Sequence, residues 1–208
     1  MLISHKYKFI FLKTTKTAST SIEVDLSKLM ASNDVVTPIF PKVDGHEPRN
    51  YKYSDISFKI NQPHNHMPAI GIRNFLGTNL FNEYFKFCVE REPLDKCISH
   101  YSMLKNSPDF NLNTAELTWQ QYINRGIYPV DTKIYTDVDG TLIVNKILKY
   151  ENLTQDILEV GDYLGIQNLT IKALAKFGFR ENIVVTNEQR SIIYDAFEES
   201  NLYTGYKL

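Results

Sequence analysis

Phe9-Ile-Phe-Leu-Lys-Thr-Thr-Lys-Thr-Ala-Ser-Thr-Ser-Ile-Glu23 decides how this chain folds. The apolar run from Tyr7 to Leu12 reads as a buried strand and stops abruptly. A loop of hydroxyl side chains around one lysine follows: Thr14, Thr15, Lys16, Thr17, Ser19 and Thr20, with Ser21 next. Ile22, Leu26 and Leu29 then recur at helical spacing and predict an amphipathic helix over residues 20–30. A strand, a hydroxyl-rich turn and a helix start together form an anion site. Unpaired backbone N–H groups and the helix dipole face the ligand, and Lys16 adds a full positive charge. The same pattern also describes an ordinary strand–turn–helix whose Ser and Thr serve only as caps.

The loop is not the common nucleotide-binding loop. It contains no glycine and no G-x-x-x-x-G-K-[ST] pattern, which disfavours a Mg-dependent triphosphate enzyme. A second segment repeats the logic. Phe85-Lys-Phe-Cys-Val-Glu-Arg91-Glu-Pro93-Leu-Asp95-Lys-Cys-Ile-Ser99-His-Tyr101 reads as strand, turn and helix, with Phe85, Phe87 and Val89 alternating along the strand. Pro93 suits the first helical turn, where its missing N–H costs nothing. Arg91 sits at the strand's C-terminal end, and a strand-end ion pair with Glu92 or Asp95 is the plain alternative to a ligand contact.

Lys16-Thr-Ala-Ser-Thr-Ser-Ile resembles the 5′-phosphosulfate loop of the sulfotransferase family, usually Pro-Lys-Thr-[Ala/Gly]-Gly-Thr-[Ser/Thr], with Thr15 in place of the Pro and Ser19 in place of the Gly. Ser19 then needs a φ that a side chain tolerates. The Arg91 segment resembles the family's 3′-phosphate segment, Val-Arg-Asn-Pro-x-Asp-Arg-x-x-Ser-x-Tyr. Arg91, Pro93, Asp95, Ser99 and Tyr101 match; Glu90, Glu92 and Lys96 depart. Two acids beside a phosphate-binding Arg weaken an anion site unless they point away or pair with Lys96 or Lys86. Asn65-His66-Met-Pro-Ala69 resembles the His-Met-x-Ala segment of a bacterial and viral branch. Tyr135 to Gly140, Val144 to Leu153 and Tyr194 to Tyr206 resemble the family's hairpin, its late strand and its closing helix.

The resemblance implies a single α/β domain over residues 1–208, with a central parallel sheet flanked by helices and a P-loop-like strand–loop–helix phosphate site. It also implies sulfuryl transfer from 3′-phosphoadenosine 5′-phosphosulfate to an acceptor hydroxyl or amine of a carbohydrate or small molecule, without a metal. Lys16 and the stretch Thr17, Ala18, Ser19, Thr20 and Ser21 would hold the 5′-phosphate end, with their hydroxyls adding bonds. Arg91 and Ser99 would take the 3′-phosphate, with Tyr150 at the adenine and Arg180 as a late contact. His66, then His64, are the candidate bases, because a neutral imidazole near pH 7 can accept the acceptor's proton. Glu23 and Asp137 stay open for that role, and His100 reads as structural. Two other readings stand beside this one: a non-catalytic binder of the donor or its product, and a P-loop-like kinase.

Composition agrees with such a domain. The chain has 208 residues, 43% hydrophobic and 23% charged, enough to bury one full core. A net charge of −1 gives no basic field for nucleic acid, so anion affinity must come from a local pocket. Cys88 and Cys97 fall on a predicted strand and helix and read as buried thiols. No apolar run approaches the ~20 residues needed to span a bilayer, and no signal peptide is read, which points to a cytoplasmic protein without a membrane partner.

Five of the eight prolines lie between Ser32 and Pro68, so that stretch is expected to be a long irregular loop over the substrate side. Asp137-Val-Asp139-Gly-Thr141 matches a phosphatase nucleophile signature, but a mostly polar run precedes it. Asp-Gly between Ile134–Tyr135 and Leu142–Val144 reads instead as a hairpin turn. Parallel strands are expected near 7–12, 84–90 and 146–151, and helices near 20–30, 93–105 and 153–164.

Overall fold

The computed structural model describes residues 1–52, 62–107, 114–174, 178 and 180–208. Part of the irregular stretch expected from Ser32 to Pro68, residues 53–61, lies outside them. So do residues 108–113.

The sheet has the strand order β3-β1-β2-β4-β5. Its strands are β1 (Leu2–Ser4), β2 (Phe9–Phe11), β3 (Val35–Val36), β4 (Phe85–Glu90) and β5 (Lys146–Lys149). The three strands expected from the sequence, β2, β4 and β5, are parallel neighbours. The sheet as a whole is mixed rather than parallel, because β1 pairs antiparallel with both β2 and β3. Strands of three and two residues are too short to show a period in sequence. β5 also stops earlier than expected, at Lys149, where a 3₁₀ turn covers Tyr150–Asn152.

The apolar runs are continuous because the strands are covered on both faces. Alternate residues of each strand point to opposite sides. Phe9, Phe11, Phe87, Val89 and Leu148 pack on one side with Ile22 and Leu26 of α1 (Ser19–Ser27) and with Ile157 and Val160 of α7 (Leu153–Leu164). Ile10, Leu12 and Cys88 pack on the other with Ala69 and Ile72 of α2 (Ala69–Leu76) and Phe81 of α3 (Thr78–Glu83). A third cluster joins Cys97 and Tyr101 of α4 (Pro93–Asn106) to Trp119 and Tyr122 of α5 (Trp119–Arg125) and to Ile193 of α8 (Asn187–Ala196). Both cysteines are buried and free. Burial pushes the Cys97 thiol up to about 12, so it stays protonated and inert.

Local signals explain the helix ends. Pro93 opens α4, and the Glu92 carboxylate caps it by accepting from the Leu94 and Asp95 N–H groups. Gly165, at φ 69°, closes α7 in the left-handed conformation. The Asp137–Gly140 turn forms as read, with the Gly140 N–H on the Asp137 carbonyl. Its arms differ from the expected hairpin. Ile134 and Tyr135 belong to the short helix α6 (Thr132–Tyr135), and only the bridge between Thr136 and Leu142 joins the two sides. The expected closing helix is two, α8 and α9 (Glu198–Thr204). Among the described residues no helix is long and apolar enough to cross a membrane.

Gly161 tests how tightly α7 meets the chain that follows it. A Cβ there would stand 2.7 Å from Leu169 Cβ and 2.9 Å from the Ile166 carbonyl oxygen. Gly161→Ala gains about 1 kcal/mol of helix propensity, yet overpacking against backbone costs about 1–3 kcal/mol. The expected result is a lower denaturant midpoint with an unchanged m-value.

Candidate functional site

The register of the parallel strands sets the site. Phe11 stands opposite Phe87, and Glu90 stands opposite Lys149. The residues just past the three C-terminal ends are therefore neighbours: the Lys13–Ser19 loop, Arg91 and Tyr150. The Leu12 N–H extends the pairing by one bond to the Phe87 carbonyl, 2.9 Å. Thr14 Oγ1 then donates to the Val89 carbonyl and ties the loop to β4.

The loop is folded by its own hydroxyls. The Thr14 proton goes to Val89, so Thr17 is the donor in the 2.8 Å contact between the Thr14 and Thr17 hydroxyls. Ser19 Oγ donates to the Thr14 carbonyl at 2.7 Å. The hydroxyl protons of Thr17 and Ser19 are thus spent inside the loop, contrary to the expectation that they serve a ligand. Thr20 is half-buried, and its hydroxyl has no protein partner among the described residues. The unusual backbone angles fall at Lys16 (φ 61°) and Ala18 (φ 57°) rather than at Ser19, which lies in the first turn of α1. Left-handed residues alternating with right-handed ones turn successive N–H groups into one concavity. The backbone N–H groups of Ala18, Ser19 and Thr20 have no acceptor among the described residues, as expected where no side chain caps the helix.

The loop lines a cleft of about 810 Å³. Lys16, Thr17, Ala18, Ser19, Thr20, Ser21, Arg91, Ser99, Tyr150, Arg180 and His66 all line it. The fold therefore gathers into one cleft residues named from five separate segments of the sequence. His64 is not among them. It is exposed, and its Nδ1 lies 3.1 Å from the Gln62 carbonyl oxygen.

Arg91 is held on three sides. Its guanidinium pairs with the Asp95 carboxylate, donates to the Lys16 carbonyl at 3.2 Å and lies 4.0 Å over the Tyr150 ring. Arg180 pairs with the other oxygen of Asp95. The ion pair read as the plain alternative thus forms, and one carboxylate serves two arginines. One face of Tyr150 supports Arg91 and is covered by it. Glu90 and Glu92 both point away from Arg91's side chain. Glu90 accepts from Lys96 Nζ at 2.6 Å, one of the pairings expected. Glu92 caps α4 and accepts from the Tyr194 hydroxyl.

His66 lines the cleft beside the start of the loop. Its Nδ1 is 2.9 Å from the Lys13 carbonyl. A carbonyl only accepts, so Nδ1 carries the proton, and in the neutral ring Nε2 is the basic atom. Burial, then the Lys13 charge, holds the His66 pKa below its ordinary 6.5, so the ring is neutral at pH 7. Glu23 and Asp137 do not reach the cleft wall. Glu23 is fully buried and accepts from Lys13 Nζ at 2.6 Å and from the Met1 amino group. Asp137 pairs with Arg73 at 2.7 Å. His100 is structural as read, its Nδ1 3.0 Å from the Tyr122 hydroxyl, and burial pushes its pKa down to about 4.

Sequence reading missed two residues. Lys13, at the end of the apolar run, was legible as a lysine entering the interior. Asp131 was not: its carboxylate accepts from the Thr15 N–H at 2.6 Å across 116 residues of sequence. Proton NMR of the His66 ring should give a pKa below 6.5 and an Nδ1–H tautomer in the neutral form. A value at or above 6.5 would remove it as a buried neutral base.

No protein-family model and no solved structure matches the chain. A protein of Archaeoglobus fulgidus, described only as uncharacterized, is 38% identical over 104 residues, a stretch that covers 48% of this chain and 83% of that protein. At this identity and coverage, the chain belongs to the same family as the Archaeoglobus fulgidus protein.

Proposed function

We propose that this protein is a sulfotransferase that binds 3′-phosphoadenosine 5′-phosphosulfate in the cleft at the strand ends and passes its sulfuryl group to an acceptor hydroxyl or amine. The observation that carries the reading is the convergence on one cleft of the Lys16–Ser21 loop, Arg91, Ser99, Arg180 and His66. The resemblance of the loop and of the Arg91–Ser99 segment to the sulfotransferase motifs supplies the identity of the donor. In these terms the strand–loop–helix of β2 and α1 is a P-loop-like phosphate site of the sulfotransferase fold.

The residues fit the group. The N–H groups of Ala18, Ser19 and Thr20 suit a phosphate oxygen, and the helix dipole favours its charge. Arg91 and Arg180 share a single carboxylate, so a 3′-phosphate dianion competes with Asp95 for both and offers more charge. When bound, the donor supplies the sulfuryl group: a bond forms from the acceptor oxygen or nitrogen to sulfur as the bond from sulfur to the 5′-phosphate oxygen breaks. Lys16 neutralises the charge that develops on that phosphate. His66 Nε2 takes the proton of the acceptor, because Nδ1 is committed to the Lys13 carbonyl.

Calorimetric titration with adenosine 3′,5′-bisphosphate, with AMP and ATP as controls, tests the donor site. Binding that neither control matches is expected, and equal binding of AMP defeats the reading. Arg91→Ala should cost about ten- to a hundredfold in affinity for the bisphosphate, equivalent to the roughly 1.5–3 kcal/mol of a charged hydrogen bond, and should abolish the preference over AMP. Lys16→Ala should abolish turnover while part of the nucleotide affinity survives. With a working acceptor, kcat/KM should rise with pH as His66 loses its proton, and should reach half its plateau below pH 6.5 because the His66 pKa lies below that value.

A further inference from the structure

We infer that Asp131 is the positioning residue of the Thr14–Ser21 loop: anchored by Lys96, its carboxylate holds Thr15 by two hydrogen bonds and so sets the turn that aims the loop's N–H groups into the cleft. For the ligand this rests on the sulfuryl-donor reading; the contact itself does not.

Asp131 is 7% exposed. Its Oδ2 accepts from the Thr15 N–H at 2.6 Å, and its Oδ1 accepts from the Thr15 hydroxyl at 3.0 Å. The residue stands at the N-cap of α6, where an aspartate ordinarily accepts from its own helix, yet it makes no such bond. The carboxylate is turned to the loop instead. Lys96 fixes that direction from behind. Its fully buried ammonium lies 2.9 Å from Asp131 Oδ2 and 2.6 Å from Glu90 Oε2. Burial would lower the Lys96 pKa, but the two carboxylates outweigh it and hold the lysine charged. A charged lysine keeps both acids in place.

Thr15 is where such a hold acts. The next residue, Lys16, is left-handed, and so is Ala18. Side-chain-bearing residues disfavour that conformation, so the surroundings must impose it. Downstream, Thr17 and Ser19 tie back to Thr14. Upstream of the first left-handed residue, the Asp131 carboxylate fixes both hydrogen-bond donors of Thr15.

The rival reading makes Asp131 a mere counter-ion of Lys96. Nitrogen-15 NMR of the full chain separates the two, using Asp131→Asn, Asp131→Ala and Thr15→Val. A short bond to a carboxylate should place the Thr15 amide proton well downfield. It should move upfield in Asp131→Asn and further in Asp131→Ala, with the Lys16, Thr17 and Ala18 amides shifting along with it. Affinity for adenosine 3′,5′-bisphosphate and for inorganic pyrophosphate should fall by about tenfold or more in Asp131→Ala. Thr15→Val should add little on that background, since the two changes remove one shared interaction. Shifts confined to the residues around Lys96, with the Thr15 amide unmoved, would overturn the inference. So would additive losses. If the unaltered protein binds neither probe, the donor reading fails, while the Thr15 resonance still decides the role of Asp131. If Asp131→Ala does not fold, Asp131→Asn and Thr15→Val carry the same comparison.

Discussion

The parallel register of β2, β4 and β5 is the constraint on which the rest depends. Because Glu90 faces Lys149 and Phe11 faces Phe87, three chain segments leave the sheet side by side. Their next residues meet whatever the loops do later. The stacking of Arg91 on Tyr150 follows directly from that register. A slip of one residue would send every strand side chain to the wrong face, so the two cores above and below the sheet lock the site as firmly as they lock the fold.

Charge is handled in two ways around this point. Beneath the cleft, the Lys13–Glu23 pair and the Glu90–Lys96–Asp131 cluster are buried, with each ammonium held against a carboxylate. Removing one member of such a group is far costlier than the group's net worth. At the rim, the arginines are paired differently. Asp95 stands between Arg91 and Arg180, with its side chain 29% exposed and that of Arg180 half exposed. The buried clusters hold geometry, and the rim pair lies partly open to solvent.

Much of this was legible in the sequence, and the misses share a cause. The apolar run before Lys13, the Pro93 helix start and the Leu153–Leu164 helix are local patterns, and they are found where expected. Of the eleven cleft residues named from sequence, nine lie in the three segments whose strand–loop–helix pattern was plain, while His66 and Arg180 were named only through the resemblance. β1 and β3 were missed because three and two residues carry no period, and Ile134–Tyr135 was misread because an apolar pair fits a strand or a helical turn equally. Asp131 was invisible for another reason: nothing near it in the chain marks it, and its partners are brought to it only by the fold.

The inward use of the loop's hydroxyl protons changes how substitutions there are to be understood. Thr17 is completely buried and Ser19 nearly so, and both point their protons at Thr14. They act as internal stitching for a backbone whose amides face the cleft. A weakened variant at either position reports a slackened turn, not a missing touch on the bound molecule. Thr20, half-buried and lining the cleft, takes no part in that stitching.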